Sequence, residues 1–121
     1  MPDPRTVLIV DDDPDIRDFV QLGLEDEGYR VLTAPHGQAA FEVLGQTPID
    51  LILLDMRMSV MDGWTFARLY RQQAGPCAPI VVVTAAQDAA QRSAEVAAEG
   101  HLAKPFGLAE LRATVEQHVH R

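Results

Sequence analysis

Five side chains at separate places in this 121-residue chain could do chemistry together. The run Val7-Leu8-Ile9-Val10 ends in Asp11, Asp12 and Asp13, and Leu51-Ile52-Leu53-Leu54 ends in Asp55. The apolar run that starts at Pro79 ends at Thr84, and His101-Leu102-Ala103 leads into Lys104. Brought to one place, Asp11, Asp12, Asp55, Thr84 and Lys104 offer carboxylates, a hydroxyl and an ammonium. Hard oxygen donors with few competing nitrogen or sulfur ligands favour Mg²⁺ over zinc or copper. Two carboxylates ~5 Å apart repel by about 3 kcal/mol at an effective dielectric of 20. A single Asn would remove that repulsion, so such a cluster calls for compensating charge from a divalent cation and from Lys104. In that setting Asp55 can attack phosphorus and form an acyl phosphate. Mg²⁺ and Lys104 would then carry the charge on the transferring oxygens, with Thr84 donating to one of them.

Each signal alone has a plainer reading. An Asp-Asp-Asp run is usually a solvated loop that caps a helix, Asp55 could be a turn residue, Thr ends many strands, and Lys is normally a surface charge. The conjunction is what argues for a site, because each group sits at the expected carboxyl end of a different strand.

The elements that must position these groups are legible from periodicity. Val7–Val10 has no polar alternation, which predicts a strand buried on both faces. From Pro14 the apolar residues Ile16, Phe19, Val20, Gly23 and Leu24 recur at helical spacing until Gly28, with Asp13 as cap and Pro14 in the first position. Residues 29–34 read as a more polar strand near a sheet edge, 38–44 as a short helix, 51–54 as the second buried strand and 63–73 as a helix with Phe66, Ala67 and Tyr70 inward. Residues 79–84 read as the third buried strand. Asp88 is expected to cap an Ala-rich helix that runs through Glu99 and stops at Gly100. A short strand over 101–103 and a last helix from about 108 to about 119, with Leu111 and Val115 inward, complete the chain. Five strands alternating with five helices predict an α/β fold whose parallel sheet is covered on both faces, with right-handed crossovers. Ligands of such sheets bind beyond the carboxyl ends of the strands, at the topological switch point.

Composition sets the outer limits. The length suits a single domain over 1–121, and 47% hydrophobic with 23% charged residues is ordinary for a folded soluble protein. One cysteine, Cys77, rules out an intramolecular disulfide and a Cys-based zinc site. A formal charge of −8 is wrong for gripping a phosphate backbone, so no direct nucleic-acid contact is expected. No apolar run approaches the ~20 residues of a membrane span, and the opening residues lack a secretory signal. The expectation is a cytoplasmic protein with no membrane partner.

The chain resembles the receiver domain of two-component response regulators from about Thr6 to His120. The matching motifs are Val7-Leu8-Ile9-Val10-Asp11-Asp12-Asp13-Pro14, Leu54-Asp55-Met56-Arg57-Met58, Met61-Asp62-Gly63, Val83-Thr84-Ala85 and Lys104-Pro105-Phe106. The resemblance implies a flavodoxin-like doubly wound sheet of order 2-1-3-4-5 in a three-layer α/β/α arrangement. It implies Asp55 as phosphoacceptor and Mg²⁺ as cofactor, with Mn²⁺ as a substitute. Asp12 would be the direct metal ligand, Asp11 would act through water, and the Arg57 backbone carbonyl would complete the protein's share. Thr84 and Lys104 would bind the phosphoryl group, and the Lys104–Pro105 bond would be cis. The donor would be a histidine kinase or phosphotransfer protein. Output would be a change of protein partner on the surface of the fourth helix, fifth strand and fifth helix, from a monomer or a phosphorylation-dependent dimer. The protein would not be an enzyme beyond accepting its own phosphoryl group and losing it slowly.

Four positions bear on the family's usual pattern. Ser59 replaces the usual Pro, His101 stands at the switch position next to Thr84's role where Tyr or Phe is usual, and Arg57 and Ala86 occupy the positions that tune hydrolysis. Ala86 cannot orient a water, which predicts slow dephosphorylation. Trp64 and Phe66 read as packing, with Trp64 near enough to the site to report metal by fluorescence. The methionines after Asp55 read as loop packing, and His118 and His120, two apart, do not face one ligand.

Rival readings make distinct demands. An aspartate-nucleophile phosphatase wants a second Asp two residues later as general acid, where Arg57 stands. A flavin or nucleotide binder needs a Gly-rich or Ser/Thr-rich phosphate loop after the first strand, where the carboxylates would repel phosphate. A receiver fold kept only as a scaffold would need none of the five polar groups. The ending at a helix without a linker favours a stand-alone regulator.

Overall fold

The computed structural model describes residues 4–58, 60–73 and 75–119. Their elements are β1 (Thr6–Val10), α1 (Pro14–Glu25), β2 (Arg30–Ala34), α2 (Gly37–Leu44), β3 (Leu51–Asp55), α3 (Gly63–Arg71), β4 (Ile80–Ala85), α4 (Ala89–Glu95), β5 (Gly100–Lys104) and α5 (Leu108–His118). All the strands are parallel and lie in the order β2-β1-β3-β4-β5. This is the flavodoxin-like sheet that the resemblance implies.

Alternation along the buried strands divides the core into two layers. Leu8, Val10, Ile52, Leu54, Ile80 and Val82 meet Ala40 of α2, and Phe66, Ala67 and Tyr70 of α3. Val7, Ile9, Leu51, Leu53, Val81 and Val83 meet Val20 and Leu24 of α1, and Leu111 and Val115 of α5. Because helices cover both faces, β1, β3 and most of β4 have no solvated side and read as unbroken apolar runs. The more polar β2 is an edge strand, as its composition predicted.

The order also places the site. Chain order reverses between β1, which pairs with both β2 and β3, and β3, which continues toward β4. Val10 lies opposite Leu54, so the carboxylates that follow these two residues emerge side by side at the switch point.

Local signals at the helix starts behave as expected for α1, where Asp13 Oδ1 accepts from the Asp15 backbone N–H at 2.9 Å and Pro14 opens the helix. α2 starts one residue early because His36 Nδ1 accepts from Ala39 N–H at 3.2 Å. The end of α4 differs from expectation. The helix stops at Glu95, Ala97 turns left-handed with φ of 53°, and Gly100 opens β5 instead of ending a helix. The reason is non-local. Glu99 N–H donates to Ile80 O at 2.9 Å, while the Glu99 carboxylate accepts from Ile80 N–H at 2.8 Å. Arg71 of α3 donates to the freed carbonyls of Val96 and Ala97. Asp88 holds the N-cap position of α4 but makes no capping hydrogen bond, contrary to its expected role.

One glycine is required by close approach. A Cβ on Gly63 would lie 2.8 Å from Met56 Cα and 3.1 Å from Asp55 O. Gly63→Ala should therefore displace the segment that follows Asp55 and cost about 1–3 kcal/mol of stability, as overpacking does. Urea midpoints check this; an unchanged midpoint would mean the segment yields freely.

Candidate functional site

Asp11 leaves β1 with its backbone tied down. Its N–H donates to Ala34 O at 3.1 Å, and its carbonyl accepts from Arg17 Nη1 at 2.8 Å. Its carboxylate is fully buried. Oδ1 accepts from Asp13 N–H at 2.9 Å, while Oδ2 faces the Lys104 ammonium at 3.2 Å. Asp55, at the end of β3, is 4% exposed. Its Oδ1 accepts from Arg57 N–H at 3.3 Å and lies 3.6 Å from Lys104 Nζ. Asp12 is exposed, and one carboxylate oxygen from each of Asp11, Asp12 and Asp55 falls within 4.8 Å of the others.

Register brings the remaining groups to the same rim. Asp55 lies opposite Val83, Thr84 follows it buried in β4, and Lys104 lies opposite Ala85. His101 is exposed on β5, opposite Val82, on the sheet face that Thr84 shares. The Lys104–Pro105 bond is cis. Arg57 and Ala86 are both exposed, and the Arg57 guanidinium lies 3.9 Å from Asp88 Oδ2.

The electrostatics follow from crowding. Burial first, and the Asp11 carboxylate second, push the Asp55 pKa up to about 6, against the opposing pull of Lys104 and the Arg57 N–H. Burial alone would lower the Lys104 pKa, but the Asp55 and Asp11 carboxylates outweigh it and raise the group. Three carboxylates with a single ammonium between two of them leave negative charge uncompensated, and their oxygens are a donor set suited to a hard divalent cation. Lys104→Ala should strip the Asp11 and Asp55 carboxylates of their fixed cation. The expected results are a loss of about 1–3 kcal/mol in chelator, since a buried carboxylate is left without its partner, and tighter Mg²⁺ binding by calorimetry. Weaker Mg²⁺ binding would contradict this electrostatic picture.

Other sequence expectations resolve differently. Trp64 faces α4, with its indole N–H donating to Glu95 Oε1 at 2.8 Å and the Arg92 guanidinium 5.2 Å over its ring. It bridges α3 and α4. Met56 and Met58 are buried packing, as expected. His118 shares a hydrogen bond with Thr114 O at 2.9 Å, and its ring packs against Gly100. Ser59 and His120 lie outside the described residues. The Arg17 contact to the Asp11 carbonyl was not foreseen, because a lone Arg on an exposed helix face reads as a solvated charge.

Comparison with known proteins agrees with this arrangement. A family model of the response regulator receiver domain matches residues 7–116. The transcriptional regulatory protein YvrH of Bacillus subtilis is 36% identical over 119 residues, covering 96% of this chain and 49% of its own. The chain spans about half the length of the curated relatives it matches first. The chemotaxis protein CheY4 of Vibrio cholerae superposes with a TM-score of 0.86 at 34% identity, covering 95% of this chain and 98% of its own. The receiver domain of sensor histidine kinase PA1611 from Pseudomonas aeruginosa matches at 30% identity and a TM-score of 0.85, covering 96% of this chain and 98% of its own. That structure has a magnesium ion coordinated in its active site cleft.

Proposed function

Because this chain belongs to the response regulator receiver domain family of two-component signalling, we propose that Asp55 is its phosphoacceptor and that Asp11, Asp12 and Lys104 serve that one residue. The observation that supports this most is that one carboxylate oxygen each from Asp11, Asp12 and Asp55 lies within 4.8 Å of the others, with the Lys104 ammonium 3.2 Å from Asp11 and 3.6 Å from Asp55. Asp12, Asp55 and the Arg57 carbonyl would hold Mg²⁺ directly, with Asp11 acting through water, and Mn²⁺ takes the same oxygen donors. Bound there, the cation supplies Lewis-acid charge to the transferring oxygens.

The chain's own groups do the rest. With a pKa raised to about 6, Asp55 is ionised at neutral pH and its oxygen is free to attack phosphorus. Lys104, already 3.6 Å from Asp55, neutralises charge that the incoming phosphoryl group brings. Thr84 donates its hydroxyl to a phosphoryl oxygen, and the resulting shift reaches His101 on the neighbouring strand. The donor is a histidine kinase or phosphotransfer protein. The altered surface of α4, β5 and α5 binds a downstream protein, as a monomer or a phosphorylation-dependent dimer in the cytoplasm. No substrate other than the chain's own acyl phosphate is turned over.

Incubation with acetyl phosphate and Mg²⁺, followed by intact mass and peptide mapping, tests the reading. One added phosphoryl group on the peptide containing Asp55 is expected; an unmodified mass would make the fold a scaffold without phosphorylation. Exposed Ala86 offers no group to orient a hydrolytic water. Once donor is removed, the phosphorylated form should persist for many minutes by the same assay, and a lifetime of seconds would refute slow self-dephosphorylation.

A further inference from the structure

Two residues outside the acidic cluster, one in the segment after β3 and one before α4, meet each other. Arg57 is fixed at its root beside the acceptor, because its backbone N–H donates to Asp55 Oδ1 at 3.3 Å. Its side chain is 70% exposed and its guanidinium meets Asp88 Oδ2 at 3.9 Å. Asp88 precedes α4 in the N-cap position, where an Asp ordinarily adopts extended backbone and caps with its carboxylate. Here its backbone is helical and it makes no capping bond. Its carboxylate is directed to the loop that follows Asp55 instead. Ala85, Ala86 and Gln87, between Thr84 and Asp88, are exposed and uncharged.

We infer that Asp88 is a positioning residue: it holds the Arg57 guanidinium in the unmodified protein and competes for it with a phosphoryl group on Asp55. This rests on Asp55 being the phosphoacceptor. An exposed ion pair is weak and screened, so the guanidinium can exchange partners readily. A phosphoryl group carries close to two negative charges against one on Asp88, and its oxygens accept a guanidinium in bidentate fashion. An exposed side chain such as that of Arg57, once drawn onto those oxygens, would stand between them and solvent. In hydrolysis the water oxygen bonds to phosphorus and the bond from phosphorus to the Asp55 oxygen breaks. The electron pair returns to the carboxylate, and the water protons are shared between inorganic phosphate and solvent. Time that Arg57 spends on Asp88 is time in which this approach is open, so Asp88 shortens the life of the phosphorylated state.

The test measures decay of the aspartyl phosphate in Mg²⁺ after loading with acetyl phosphate and removing it. Asp88→Asn should lengthen the lifetime several-fold, Arg57→Ala should shorten it, and the double variant should decay as Arg57→Ala does. Asp88→Glu, which keeps the ion pair, should decay as wild type. A merely structural role for Asp88 would alter the Arg57→Ala background by the same factor. Wild-type decay in Asp88→Asn, or an equal effect in both backgrounds, overturns the inference while leaving Asp55 as acceptor. Absence of phosphoryl uptake by wild type in the same run overturns the acceptor reading, and this inference with it.

Discussion

Asp55→Asn should take up no phosphoryl group from acetyl phosphate in Mg²⁺, while Thr84→Ala still takes it up at a reduced rate. The amide has no anionic oxygen to attack phosphorus. On the proposed reading its neutral oxygen would also give less to a cation, leaving Asp11 and Asp12 to hold it with one carboxylate fewer. Thr84 contributes only a hydroxyl, and the Lys104 ammonium remains 3.2 Å from Asp11 when it is removed. Intact mass after a fixed incubation distinguishes the two. Full uptake by Asp55→Asn would move the acceptor to another residue, and peptide mapping would show which. Loss of uptake in Asp55→Asn has meaning only if the variant is folded, and the same charge cluster predicts that it is more than folded.

In chelator, Asp55→Asn should be more stable than wild type by about 2 kcal/mol at neutral pH, and the difference should vanish in acid. Burial and the Asp11 carboxylate raise the Asp55 pKa from 3.8 to about 6. An acid raised on folding is an ionised group that the folded state holds at a disadvantage. That disadvantage is fully present above about pH 6 and is relieved as the pH falls toward the unfolded value near 4. That difference is worth about 3 kcal/mol, and the amide recovers part of it because Lys104 loses a partner. Metal-free wild type should therefore gain stability relative to Asp55→Asn as the pH drops from about 7 to 4. Saturating Mg²⁺ should reduce or reverse the difference at pH 7, because the cation offsets the repulsion only where the carboxylate is present. Denaturant midpoints across pH, with and without metal, check all of it. An Asn variant clearly less stable in chelator would mean that the carboxylates do not repel one another as their positions require.

The buried runs Val7–Val10 and Leu51–Leu54 announce central strands because parallel sheets covered on both faces leave no polar alternation, and that property is local. Strand ends are local too, so Asp11, Asp55, Thr84 and Lys104 could be placed at one rim from the sequence with no knowledge of distances. Capping by Asp13 and the edge position of β2 were equally legible, since both depend on residues within a few positions. Tertiary structure alone decided which of two adjacent aspartates is buried and which is exposed. That depends on how β1 sits between β2 and β3, and it leaves Asp11 Oδ2 against Lys104, 93 positions away in the chain and joined to it only through packing. It decided where α4 ends, because Glu99 is drawn to Ile80 and Arg71 closes the helix from α3. It also turned Asp88 from a cap into the partner of Arg57. Helical propensity and capping act over one turn, whereas these contacts join elements whose separation along the chain carries no record of their separation in space.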